Sequence, residues 1–200
     1  MSGPLLVPLC CPKCGSDLDG GPHALIFLCL PCGLAIHASD PRRPYPLSFA
    51  APLLRQAAPD LYAPFWKVDG TFSWTTSDKQ KERVYANQRP LGALFVPAFW
   101  SPKAAYYDNL TLRYALQGGP QRLDGAAGPV LDGARPPEVL GELARLTWLA
   151  YLDRAADVTG VDGRFQVDAL AYAAIPFYRD GSRFLDGILG VPVPEAYFSG

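Results

Sequence analysis

The sequence predicts an α+β fold rich in β-structure, and three features of its 200 residues carry that prediction. Apolar segments are short and punctuated, because 21 prolines and 19 glycines favour turns over long helices. Aromatic and β-branched residues flank the dipeptides Asp69-Gly70 and Asp180-Gly181, a pattern of strands closed by tight turns. One long stretch, residues 138–157, keeps a helical period and is the main helix. A hydrophobic fraction of 49% supports a real core, and charged residues at 18% fall below the usual quarter, which argues against a disordered chain.

The elements follow in chain order. Residues 1–9 have no basic n-region, and prolines break their apolar run, so no signal peptide is expected. No apolar run reaches the length of about 18 residues that a spanning helix needs, so no membrane span is expected and the cytoplasm is the default location. Two C-x-x-C-G motifs come next, Cys11-Pro12-Lys13-Cys14-Gly15 and Cys29-Leu30-Pro31-Cys32-Gly33. A tight turn brings two thiolates together in each, and the glycine lets the chain leave with positive φ. Four such thiolates make a tetrahedral metal site, with Cys11, Cys14, Cys29 and Cys32 as ligands and one structural Zn²⁺ as the first reading. Four filled positions leave no place for a reactive water, which disfavours catalytic zinc. Iron is the second reading, and a disulfide or simple buried thiols the third. Cys10 is a spare thiol beside the first motif, expected to be buried or free. Asp19-Gly20-Gly21 is expected to turn the chain into a strand over residues 23–28, and a second strand returns over 34–37. His23 and His37, the only histidines, are expected at the surface of these strands and not as ligands.

Knuckle, turn, strand, knuckle, strand resembles the zinc-ribbon family, over roughly residues 9–38. The knuckles are also similar to those of rubredoxin, although rubredoxins separate the two pairs more widely. The resemblance implies a small module whose metal replaces most of a hydrophobic core. Ribbons of this family serve many tasks, so the resemblance assigns no activity.

Residues 1–38 are thus expected as a ribbon, 39–63 as a proline-rich linker with one helical turn over 53–56, and 64–198 as a larger domain of strands and hairpins. In that domain Asp69-Gly70 is expected to close a hairpin, residues 83–85 to form a short strand, and residues 91–100 to form a strand buried on both faces. Asp108 is expected to cap a short helix, and residues 117–137 to form a surface loop. On the main helix Val139, Leu143, Leu146 and Ala150 are expected to face the core. Residues 165–172 are expected to pair with 183–189 across Asp180-Gly181. The segments Pro64-Phe65-Trp66-Lys67 and Pro176-Phe177-Tyr178-Arg179 match closely, which admits an internal duplication with halves 64–116 and 138–198. A zinc ribbon followed by Pro64-Phe65-Trp66-Lys67 and Val96-Pro97-Ala98-Phe99 also resembles bacterial zinc-ribbon proteins of no assigned activity.

Charge narrows the function classes. The formal net charge is −1. In residues 1–45 Lys13, Arg42 and Arg43 balance Asp17, Asp19 and Asp40, and a tetrathiolate zinc adds about −2. Nucleic-acid binding therefore lacks its basic footprint, although stacking on Trp66, Trp74 or Trp100 is the compensating route. No Ser-His-Asp set, phosphate loop or H-E-x-x-H motif is present, and an enzyme would have to use Asp153, Asp157, Asp162 or Asp168. The expectation is a non-catalytic interaction or assembly protein with a protein partner, with nucleic-acid binding second and iron redox chemistry third.

Overall fold

The computed structural model describes residues 10–54, 57–99 and 107–198, with the backbone alone for 107–109. Residues 1–9, Trp100 and the pair Arg55-Gln56 of the expected helical turn lie outside the described residues. Two strands form the spine, β4 (Leu61–Thr76) and β6 (Val161–Asp180), paired antiparallel over all of β4, from Leu61 opposite Phe177 to Thr76 opposite Val161. One half of each is continuously apolar. Tyr62, Ala63, Pro64, Phe65 and Trp66 are all buried, as are the residues from Tyr172 through Tyr178, which is the burial of a strand covered on both faces.

Around this spine stand β1 (Ile26–Cys29), β2 (Leu34–His37), β3 (Tyr45–Phe49), β5 (Leu94–Pro97), β7 (Arg183–Asp186) and β8 (Pro192–Pro194). They make one mixed sheet in the order β1-β2-β3-β6-β4-β5, with β7 beside β6 and β8 beside β7. The pairing of β3 with β6 is parallel, and the other strand pairings are antiparallel. The fold is β-rich α+β, with helices α1 (Lys79–Ala86), α2 (Tyr107–Gln117) and α3 (Leu140–Asp153). Among the described residues no helix is long and apolar enough to cross a membrane.

Several local expectations are corrected. The chain does not turn at Asp69-Gly70. It runs through as β4, and the register with β6 shifts there in a β-bulge. A Cβ at Gly70 would collide with the Gln166 carbonyl and the Phe165 ring, so this glycine permits close backbone approach. Asp180-Gly181 does turn the chain, with Gly181 at φ 64°, but residues 177–180, not 165–172, pair with β7. The expected strand over 83–85 is helix α1, because Asp78 accepts the N–H groups of Gln80 and Lys81 as an N-cap. Helix α2 already includes Tyr107, which puts Asp108 inside the helix and not at its cap.

The expected linker contains β3. Tyr45, Leu47 and Phe49 are buried and Pro46 is exposed, an alternation that the dense prolines hide in the sequence. Helix α3 is rotated from the expected face. It buries Leu140, Ala144, Thr147 and Tyr151, whereas Val139 is 41% and Leu146 47% exposed. Apolar residues stand on more than one of its stripes, and the stripe with the small Ala144 and Thr147 fits against the sheet. The loop over 117–137 does not simply cross the surface. It bridges Phe49 through Asp124, Tyr62 through Val130 and Ile26 through Gly133.

The sheet separates two apolar clusters. One holds Trp66, Val68, Tyr172, Leu140 and Ala144, and the other Phe65, Phe177, Phe99, Tyr114 and Tyr197. Trp66 is met edge-on by Tyr45 and Tyr172, with ring centroids at 4.8 and 5.1 Å, and its Nε1 donates to the Arg135 carbonyl at 2.9 Å. Asp186 is the one buried carboxylate among the described residues. It accepts the N–H groups of Ile188, Leu189 and Val191 and the Tyr114 hydroxyl, so its burial is compensated.

Candidate metal centre

Local backbone chemistry builds the site. In the first knuckle the Cys11 N–H donates to the Ser16 carbonyl at 2.7 Å, the Gly15 N–H donates back to the Cys11 carbonyl at 2.8 Å, and the Lys13 N–H points at the Cys11 Sγ at 3.4 Å. Gly15 and Gly33 leave their knuckles at φ 73° and 60°, where a side chain would be strained. Asp19 and Leu28 exchange two backbone hydrogen bonds at 2.7 and 2.8 Å, which folds the first knuckle onto β1. The turn between them lies at residues 22–23, and the strand starts at Ile26, later than expected.

The Sγ atoms of Cys11, Cys14, Cys29 and Cys32 all lie within 4.8 Å of one another. Cys14 and Cys29 are 3.6 Å apart and Cys11 and Cys32 4.0 Å. Zn–S bonds of about 2.3 Å at tetrahedral angles require S···S separations of about 3.8 Å, and the two measured distances bracket that value. A disulfide requires about 2.05 Å, so these are free cysteines and the disulfide reading is excluded for the described chain. The donor set and its spacing fit a single bound metal ion.

As thiols the four would share protons unequally. The Ser16 hydroxyl and backbone beside Cys14 lower its thiol to about 6, while hydrogen bonding with Cys14, followed by burial, pushes Cys32 up to about 12. A thiophilic cation removes that conflict by taking all four as thiolates and releasing their protons. Cys11 and Cys29 are buried with Ile36 in a three-residue cluster, so the metal position has an apolar floor and an outer rim at Cys14. Cys10 is exposed and stands outside the cluster.

The two histidines part company. His23 is exposed, as expected, but it stands in the turn and not on the strand. His37 is buried at 5% exposure, which corrects its expected surface position. Its Nδ1 meets the Ser39 hydroxyl at 2.7 Å and accepts the Ser39 N–H at 3.3 Å, while its buried Nε2 has no partner among the described residues. Neither histidine belongs to the cysteine cluster.

The candidate acids do not converge. Asp157 caps a turn by accepting the Thr159 N–H and hydroxyl, Asp153 accepts the Val158 N–H, Asp162 pairs with Arg164, and Asp168 meets Thr71 and Gln166. Trp66 is fully buried and is no stacking platform, whereas Trp74 is half-buried with Tyr85 packed against it at 5.4 Å and 82°. Asp132, which the sequence did not single out, ties the knuckle region to the rest of the fold. Its carboxylate accepts the Gly21 N–H at 2.7 Å, across 111 residues of chain.

No family model matches the chain, and neither does any curated protein or solved structure. The geometry of the four cysteines therefore carries the assignment of a metal centre.

Proposed function

We propose that the four thiolates hold one zinc ion as a structural staple, and that the chain is a non-catalytic interaction protein of the cytoplasm whose ribbon contacts a protein partner. The observation that carries this reading is the convergence of four Sγ atoms within 4.8 Å. Four thiolates complete a tetrahedron, which suits structure and leaves no position for substrate or water. The exposed leucines Leu25 and Leu30, each 42% exposed, supply apolar contacts beside the knuckles. The balanced charge of residues 1–45 and the burial of Trp66 weigh against nucleic acid as the partner.

Elemental analysis of the purified chain tests the metal. One zinc per chain is expected, and Cys14→Ser loses it. Full metal content in Cys14→Ser, or a red protein with visible charge-transfer absorption, overturns the zinc assignment, the latter in favour of iron. Affinity purification from the native cell tests the partner reading. A partner retained by the wild type and lost from the doubly substituted Leu25→Asp, Leu30→Asp chain supports it, and equal recovery by both moves the contact elsewhere.

A further inference from the structure

A cavity of about 500 Å³ opens where β4, β5 and the end of α2 meet, and it shares no residue with the metal centre. Its volume falls in the range of small-molecule sites, about 300–1,000 Å³. Its walls combine Leu91, Phe95, Tyr114 and Tyr151 with two cations, Lys67 and Arg89, and no carboxylate of the described residues lines it.

Lys67 is unusual where it stands. It interrupts the buried run of β4, between the fully buried Trp66 and the buried Val68, directly opposite Phe95 of β5. Its side chain is 29% exposed, and its Nζ donates to Asp69 at 2.9 Å. That bond uses one of three N–H donors and leaves the ammonium able to meet a second acceptor. Arg89 is held through its backbone, because the Tyr151 hydroxyl donates to the Arg89 carbonyl at 2.9 Å. Its guanidinium has no hydrogen bond or ion pair among the described residues. Gly119 completes the wall, since a Cβ there would press to 2.7 Å of the Phe95 ring.

Helix α2 ends in this wall, and the partial negative charge at a helix C-terminus limits how much anionic charge the site tolerates. We infer that the cavity binds a small organic monoanion with an apolar body, its carboxylate at Lys67 and Arg89 and its body against Leu91, Ala93 and Ala115. The apolar wall supplies contact area, and the two cations supply orientation through charge-assisted hydrogen bonds.

The test is an amide NMR titration of the full, metal-loaded chain with three probes that share one apolar body: 3-phenylpropionate, 3-phenylpropan-1-ol and 3-phenylpropylammonium. The carboxylate is expected to shift amides in 89–95 and 114–121 and to bind about tenfold more tightly than the alcohol, with the ammonium weakest. Arg89→Gln, at an exposed side chain, is expected to keep the wild-type melting temperature and to weaken the carboxylate by about fivefold. Lys67→Gln combined with Arg89→Gln abolishes the preference for the acid. Equal binding of acid and alcohol, an unchanged affinity in Arg89→Gln, or no shift with any probe at about 10 mM overturns the inference.

Discussion

The two ends of one sheet are held by different physics. At the spine, Phe65, Trp66, Tyr172 and Phe177 are each at most 1% exposed, and large side chains on both faces exclude water. At the other end, the buried cluster around the cysteines holds, among the described residues, Cys11, Cys29 and Ile36, with Leu18, Cys32 and Leu34 packed against it. So small an apolar cluster contributes little against the entropy of ordering its loops, and on the proposed reading a metal held by the four thiolates offsets the rest. The two regions nevertheless touch. Ile26, Leu28 and Ala35 lie in the same cluster as Trp66, and the Leu47 N–H donates to the Gly33 carbonyl at 2.9 Å. The cysteine cluster and the packed spine therefore share a boundary, and perturbing either shows how far its influence reaches.

Metal removal is expected to have the largest effect, because a structural zinc couples on the order of 10 kcal/mol of binding free energy to folding. On chelation, hydrogen exchange should accelerate throughout β1 and β2 and next in β3, while the amides of β4 and β6 around Trp66 and Tyr172 stay protected. Unchanged protection in β1 and β2 breaks the comparison, and simultaneous loss everywhere makes the two regions one cooperative unit.

Trp66→Ala is the converse test. Truncating a fully buried tryptophan costs about 3–5 kcal/mol, and here it also removes the donor to the Arg135 carbonyl. A urea titration should show that loss, with the purified variant still binding one metal per chain. Loss of metal together with the sheet would mean that the cage depends on the packing beside it.

Acid produces the smallest and most local effect. Burial lowers the His37 pKa, against the opposing pull of Glu138 and Asp40. The folded state then resists a proton that the unfolded state accepts near the ordinary histidine pKa of about 6.5. Stability is intact above that pH and declines as pH falls through it towards the depressed folded pKa. Melting temperature should therefore fall between neutral and mildly acid pH, and His37→Asn should flatten that part of the profile. An identical slope in the variant assigns the acid sensitivity to the thiolates instead.

What was legible in the sequence was local. The spacing within each C-x-x-C-G motif dictates its turn, and the cysteines named from the motifs are the four that converge. The β-rich α+β class was legible as well. Partners distant in sequence were not. Asp69-Gly70 and Asp180-Gly181 are the same dipeptide, yet one sits in a bulge and the other in a turn, because only the first has a long partner strand alongside. The Pro-Phe-aromatic-base segments that precede them lie on neighbouring strands, with Pro64 opposite Ala174 and Pro176 opposite Tyr62. Helix α3 carries apolar residues on competing stripes, and the sheet chooses between them. Asp132 and Lys67 gain their roles from neighbours that no local pattern specifies.

The parallel pairing of β3 with β6 has a consequence for the order of events during synthesis. Cys11 and Cys32 are 21 residues apart, so the cage can close soon after it leaves the ribosome. Strand β3 has no such freedom, since Leu47 waits for Tyr172, and the Tyr178 hydroxyl reaches an Ala57 carbonyl 121 residues upstream. The nascent chain carries a finished knot beside an unpaired edge until β6 has been made. Closure of the sheet is therefore expected to be slower than closure of the cage, and the interval before β6 arrives leaves that strand edge open to other chains.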